Sequence, residues 1–369
     1  MKIGILGGGQ LGRMLIQEAL KYDDDFFVLD PNEECSCANI AHFTKGDFND
    51  YQSVLDFGKG KDVVSIEIEH IDVKALYELE KQGVKVIPSP HIIEVIQQKI
   101  LQKEFYLQHD IPSPKFQKVQ NKSEINFPYP FVQKLNTGGY DGKGVQVIKN
   151  EEDAQNIWDE PSVIEDLVDI EKELSVIVAK NENGEVKQFP VTEMVADPQL
   201  NLLDFNICPS NISQSVQNQI DAIVDQFVKA IDSVGLFAIE LFLDKEGKVW
   251  VNETAPRLHN SGHQTQEGNF NSQFEQFYRV LKNLPLANTN EKGFSGMLNL
   301  VGAEGYTGEV VYDGLEEVLK LPNTFVHLYG KTITKPGRKM GHINVLAEDR
   351  EELMKQLVHI KSLVKVKTN

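Results

Sequence analysis

The sequence predicts a mixed α/β and α+β chain: an open parallel sheet first, then a β-rich middle, then a small β-rich end. Three observations carry this expectation. Short apolar runs alternate with amphipathic segments up to Pro90, as in a parallel sheet covered by helices on both faces. Apolar runs joined by "NENG" and "DKEG" mark antiparallel hairpins. Beyond Pro285 the strand-like runs become short and mixed. At 369 residues the chain exceeds one compact core, and the expected domains are 1–90, 91–285 and 286–369.

Each element has a local reason. Lys2–Leu6 is an apolar strand that enters a glycine turn, followed by a helix from Gln10 to about Tyr22 and a strand over Phe26–Leu29. "DVVSIEIEHI" and "VKVIP" continue the parallel pattern. Ser89 as N-cap and Pro90 at the first helical position begin a helix. Ile92, Ile96 and Ile100 share its apolar face, Lys99 and Lys103 lie one turn apart, and Pro112 ends it. Strands follow in "YPFVQKLN", "SVIEDLV", "ELSVIVAKNENGEVKQFPVTEMV" and "GLFAIELFLDKEGKVWVNET". One amphipathic helix interrupts them, with Ile220, Ile223, Phe227 and Ile231 inward and Gly235 as its stop.

Composition narrows the function. The net charge of −18 argues against nucleic-acid or anionic-membrane partners, which need a positive field. Cys35, Cys37 and Cys208 are too few for a disulfide framework and lack zinc-ligand spacing; reduced thiols in a cytoplasmic protein are expected. No apolar run reaches the roughly 20 residues that span a bilayer.

Several stretches could carry chemistry. Gly7, Gly9 and Gly12 spell G-x-G-x-x-G, and Asp30 closes the second strand, so an NAD(P)-dependent oxidoreductase is one reading. Nothing downstream resembles a hydride-transfer site. If Asp244 to Gly247 forms a tight turn, Glu240 faces Val251, and Glu253 lies diagonally on the same face, about 7–8 Å away. Two such carboxylates suit a hard cation such as Mg²⁺; a wet sheet edge or lysine partners would also suit them. "KLNTGGYDGKGV" places Lys134 before Gly138, Gly139, Gly142 and Gly144, a loop able to approach phosphates or simply a hairpin tip. Lys331, Lys335, Arg338 and Lys339 form a cationic cluster, and "APRLHNSGHQTQ" packs polar residues directly after Glu253.

Taken in order, "GGGQLGRM", "GGYDGKG", "APRLHNSGH" and "PGRKMGH" resemble the ATP-grasp enzymes. More narrowly, they resemble the N5-carboxyaminoimidazole ribonucleotide synthase family, from residue 3 to about 345. The resemblance implies an ATP-grasp fold with a Rossmann-like (pre-ATP-grasp) N-terminal domain and a small β-rich C-terminal domain. It further implies a homodimer using Mg²⁺, ATP, bicarbonate and 5-aminoimidazole ribonucleotide. By position, Lys99, Lys134, Gly139, Gly142, Glu165, Asp166, Leu167, Val168, Glu173, Asn252 and Glu253 would bind ATP. Glu240 and Glu253 would hold the metal. Gln10, Leu11, Glu67 or Glu69, Asn260, Lys331, Arg338 and Lys339 would bind the ribonucleotide, Glu67 and Glu69 sharing one strand parity. Tyr140, Asp141, Gly142 and Arg257 would serve catalysis. Asp30 then becomes an ordinary strand-end acid. A formate-dependent glycinamide ribonucleotide transformylase shares the architecture, but "HNSGH" argues against it.

Overall fold

The computed structural model describes residues 1–139, 144–197 and 202–369. It opens with β1 (Lys2–Leu6), α1 (Gln10–Ala19), β2 (Asp25–Asp30), β3 (His42–Lys45) and α2 (Tyr51–Gly58). β4 (Val63–Ile66), α3 (Val73–Lys81) and β5 (Lys85–Ile87) complete this unit. Its five strands are parallel in the order β3-β2-β1-β4-β5. β4 is buried throughout, as a strand covered on both faces must be. α1 stops at Ala19, short of the expected Tyr22. Tertiary contacts take Tyr22 instead: its ring stacks on Tyr278 at 4.4 Å and its hydroxyl donates to Glu275 at 2.7 Å.

The expected helix after Ser89 is two helices, α4 (Pro90–Gln97) and α5 (Lys99–Gln108), separated by an extended Gln98. The break has a local cause. The amides of Lys99 and Ile100 donate to the main-chain and side-chain oxygens of Asn136, at 2.9 and 3.0 Å, which satisfies the first orphan donors of α5 and re-aims it. β6 (Phe116–Val119), β7 (Phe131–Leu135), β8 (Val145–Ile148) and β9 (Ser162–Asp166) form an antiparallel sheet ordered β6-β9-β7-β8.

A larger antiparallel sheet follows. It uses β10 (Ile170–Lys180), β11 (Val186–Gln188), β12 (Thr192–Ala196), β13 (Leu203–Cys208), β14 (Gly235–Asp244) and β15 (Val249–Ala255). α6 (Gln214–Ala230) covers it, and α7 (Thr265–Gly268) and α8 (Gln273–Leu281) precede β16 (Phe294–Val301). The C-terminal stretch adds β17 (Gly308–Glu309), β18 (Val311–Asp313), α9 (Leu315–Val318), β19 (Thr324–Leu328) and β20 (Ile333–Thr334). It ends with β21 (Lys339–Ala347), α10 (Arg350–Leu363) and β22 (Lys365–Lys367). The sheet runs β15-β14-β10-β12-β13-β16-β21-β19, with β11 beside β10, so it is continuous across residue 285.

α6 ends at Ala230, not at Gly235; Gly235 opens β14 at φ 159°. Ile220, Ile223 and Phe227 pack on Ile239, Leu241, Val249 and Val251, each such side chain contributing roughly 2 kcal/mol by burial. β15 is an edge strand, yet its outer donors are covered. Val251 N–H donates to Pro112 O at 2.7 Å and Thr254 N–H to Gln102 Oε1 at 3.1 Å. Among the described residues, no helix is long and apolar enough to cross a membrane.

Candidate active site

The hairpin β14–β15 sets the centre of the site. Asp244 N–H donates to Lys248 O, so the turn is one residue longer than the sequence predicts and Leu241, not Glu240, faces Val251. A bulge then inserts Asn252, and Glu240 lies directly opposite Glu253. The expected diagonal is thereby corrected to a face-to-face pair, because a bulge sets two residues of one strand against one of the other.

α5 and the second sheet bring cations to this pair. Lys99 Nζ donates to Glu253 Oε2. Glu165, 2% exposed, takes Lys103 at 2.7 Å and Lys134 on its other oxygen. Lys134 also donates to Asn252 Oδ1 at 2.7 Å, and Asn252 Nδ2 to Glu240 Oε2 at 3.4 Å. The charge of Lys99, more than its own desolvation, governs Glu253 and depresses its pKa to about 2. Burial acts against the Lys99 ammonium, but Glu253 outweighs it and holds the group above its usual range. Burial likewise opposes the Glu165 carboxylate, and Lys134 with Lys103 overcomes it and lowers its pKa. Lys103 is the exception: burial wins and lowers its pKa to about 8. Burial, then the charge of Glu240, raises Glu173.

Lys99, Lys103, Lys134, Asn252 and Glu253 line one small cavity together with Gln102 and Val163. A larger cleft of about 220 Å³ lies on the outer side of α5, among residues such as His91, Phe105 and Asp232, and holds no expected site residue. Among the described residues no group of three or more His, Cys, Asp or Glu side chains gathers as a metal nest. Two opposed carboxylates with an amide oxygen nearby still fit Mg²⁺, which usually takes one or two carboxylates and completes its shell with phosphates and water.

The loop after β15 is fixed by side chains. Gln273 is fully buried; its Oε1 accepts from His259 N–H at 3.0 Å and its Nε2 donates to His259 O at 2.7 Å. Gln102 clasps Thr254 in the same way, at 3.1 and 3.3 Å. So held, His259 sets Nε2 3.3 Å from Glu240 Oε1 and Nδ1 2.8 Å from Ser261 Oγ, which contacts Ser175 Oγ at 2.8 Å. Arg257 forms an ion pair with Glu69 at 2.8 Å. Neither side-chain polar atom of Asn260 has a partner among the described residues. His263 and His342 are buried, and desolvation holds both imidazoles neutral, well below their usual pKa.

The expected ribonucleotide residues come from both ends of the chain. Lys331 Nζ donates to Gln10 Oε1 at 2.9 Å and to Lys339 O at 2.8 Å. Glu67 and Glu69 follow the end of β4, so the shared strand parity expected of them does not apply. Glu67 accepts from the amides of Gly9 and Leu11, both at 3.1 Å. Its desolvation raises its pKa despite those bonds. A Cβ on Gly9 would lie 2.4 Å from that carboxylate, which is why the turn needs glycine there. Leu11 packs its side chain into the core. Asp30 closes the turn from the other side, accepting from Gly8 N–H and Asn32 N–H at 2.8 Å each. Arg338 donates to Ile333 O at 2.6 Å. Gly139 and the segment Asp166, Leu167 and Val168 flank the cavity strands, with Leu167 exposed. Tyr140, Asp141 and Gly142 lie outside the described residues. Sequence reasoning named Glu165 for the nucleotide but missed the pairing of its carboxylate with two lysines, and it missed Lys103, Gln102 and Gln273 as site residues. For Lys103 the helical spacing from Lys99 was the available signal.

Comparison with known proteins accords with this geometry. Residues 1–97 match the ribonucleotide synthetase preATP-grasp domain, 104–274 the ATP-grasp domain, and 295–356 the phosphoribosylaminoimidazole carboxylase C-terminal domain. The N5-carboxyaminoimidazole ribonucleotide synthase of Aquifex aeolicus is 33% identical, covering 99% of this chain and 97% of its own. The crystal structure of the Thermotoga maritima synthetase is 41% identical, with a TM-score of 0.92 over 100% of this chain and 99% of that one. The synthase of Aspergillus clavatus, solved with ADP and 5-aminoimidazole ribonucleotide, is 30% identical, with a TM-score of 0.89 over 98% of each chain. The chain spans about two thirds of the length of the phosphoribosylaminoimidazole carboxylases that it matches. With 97% of the Aquifex synthase covered at 33% identity, the chain belongs to the N5-carboxyaminoimidazole ribonucleotide synthase family of ATP-grasp enzymes.

Proposed function

We propose that the chain carboxylates the exocyclic amine of 5-aminoimidazole ribonucleotide with ATP and bicarbonate, giving ADP and phosphate, a step of purine biosynthesis. The observation that carries this reading is the convergence of Lys99, Lys134, Asn252 and Glu253 at one cavity, with Glu240 directly opposite Glu253 on the hairpin. Lys99 and Lys134 would bind the polyphosphate, Glu165 to Val168 the adenine edge, Glu173 the ribose, and Gly139 and Gly142 the covering loop. Glu240 and Glu253 would hold Mg²⁺, which when bound neutralises phosphate charge.

A bicarbonate oxygen attacks the γ-phosphorus, the bond to ADP breaks, and carboxyphosphate forms. The amine then attacks the carboxyl carbon and displaces phosphate, or attacks the CO₂ left once phosphate has departed; in either route the phosphate takes the proton that the amine gives up. Gln10, Leu11, Glu67 or Glu69, Asn260, Lys331, Arg338 and Lys339 would place the ribonucleotide. The open hydrogen-bonding capacity of Asn260 supports its part in this. Arg257 would stabilise charge developing on the transferred group, and Tyr140, Asp141 and Gly142 would close over it. Such catalysis is mainly positioning and charge neutralisation. A cytoplasmic homodimer completes the reading.

The test is ADP release by the protein with MgATP. Release should require both 5-aminoimidazole ribonucleotide and bicarbonate. A flat trace with both present sinks the assignment, and turnover with formate and glycinamide ribonucleotide would replace it.

A further inference from the structure

Lys103 is 3% exposed and has no role in the reading above. Its Nζ lies 2.7 Å from Glu165 Oε2, while Lys134 holds Glu165 Oε1. One buried carboxylate therefore carries two buried ammonium groups. Lys134 spends a second donor on Asn252 at 2.7 Å, and an ammonium has three.

We propose that Lys103 is a positioning residue for nucleotide binding: by sharing Glu165 with Lys134, it keeps the charge of Lys134 available to an incoming polyphosphate. The inference rests on the ATP reading. A carboxylate with one ammonium partner is a closed neutral pair, and Lys134 in such a pair would offer little field to an anion. With Lys103 present the trio carries a surplus positive charge, which is costly to bury alone. The depressed pKa of Lys103, driven by burial with repulsion from Lys134 adding to it, is consistent with that surplus. A phosphate at Lys134 supplies the missing negative charge. Lys103 thus works against the empty protein and for the nucleotide-bound one.

The experiment compares the wild type with Lys103→Met, Lys103→Arg and Lys103→Met/Glu165→Gln. Dissociation constants for MgADP are measured by calorimetry, together with KM for ATP, kcat and Tm. Lys103→Met should weaken MgADP binding about tenfold, the loss of one charge-assisted interaction, and raise KM for ATP more than it lowers kcat. The same variant should raise Tm of the nucleotide-free protein. Lys103→Arg should bind within about threefold of wild type. Adding Glu165→Gln to Lys103→Met should recover most of the lost affinity, because Lys134 is released. If the second substitution deepens the loss, or Lys103→Met binds as the wild type does, Lys103 merely packs and the proposal is overturned. Should the double variant not fold, the single variants decide. Rescue by arginine but not methionine supports charge sharing, and methionine serving as well as arginine refutes it. Failure of the wild type to bind MgADP would instead overturn the ATP reading itself.

Discussion

Glu253 joins two parts of the site, since it faces Glu240 across the hairpin and takes Lys99 from α5. Its pKa of about 2 keeps it a carboxylate across the working pH range, the form a metal ligand needs. Glu253→Gln should therefore abolish Mg²⁺-dependent turnover while circular dichroism stays native; a kcat near that of the wild type would remove the metal-ligand role. Arg338 is a different case, because its guanidinium already donates to Ile333 O. Arg338→Ala should chiefly raise KM for the ribonucleotide, as loss of a phosphate handle is loss of uniform binding. A change confined to KM for ATP would move Arg338 to the nucleotide. Residue types chosen for local reasons were legible: Lys134 at a strand end before glycines, and Gln10 after the opening turn. The pairing of Lys103 with Glu165 was not, because sequence places a lysine on a helix face without saying that a carboxylate from another sheet will be buried against it.

The bulge at Asn252 is the element on which the site turns. With the observed turn, regular pairing would set Glu240 opposite Asn252 and turn Glu253 to the other face, whereas the extra residue brings the two glutamates opposite each other and gives Asn252 contacts with both Lys134 and Glu240. Asn252→Ala should raise KM for ATP about tenfold with little change in Tm, read from initial rates and a thermal melt. A large fall in Tm with unchanged KM would make Asn252 structural only. The hairpin itself could be read from "DKEG", but its register could not, since one residue in a turn and one in a bulge leave no mark on composition. The break at Gln98 was hidden for a related reason: the cap of α5 is Asn136, which is distant in sequence. Gly235 shows the converse, a glycine that suited a helix stop and instead opens a strand.

Across the whole molecule, the first parallel unit docks on α8 through a polar seam. Asp24, whose side chain is 1% exposed, pairs with Lys282 at 2.8 Å and accepts from Tyr278. Burial opposes its carboxylate, but Lys282 and the hydrogen bonds around it prevail and lower its pKa to about 2. A depressed folded-state pKa means stability that is complete above the unfolded value near ~4. It is lost as pH falls towards about 2. Asp24→Asn should cost about 2 kcal/mol at neutral pH and flatten the fall in stability between roughly pH 5 and 2, measured by urea unfolding. An unchanged acid slope would mean that the seam carries no such linkage. The three-part order of the chain was legible, whereas the unbroken sheet across residue 285 was not, because β13 and β16 meet only in three dimensions. The covering of β15 by Gln102 and Pro112 bears on solubility as much as on catalysis. Were α5 to separate from β15, the cavity between them would open and a sheet edge would be bared at the same moment, and bared edges recruit other chains. Nucleotide that bridges α5 and β15 should therefore act as an anti-aggregant, with MgADP delaying heat-induced light scattering of the wild-type protein.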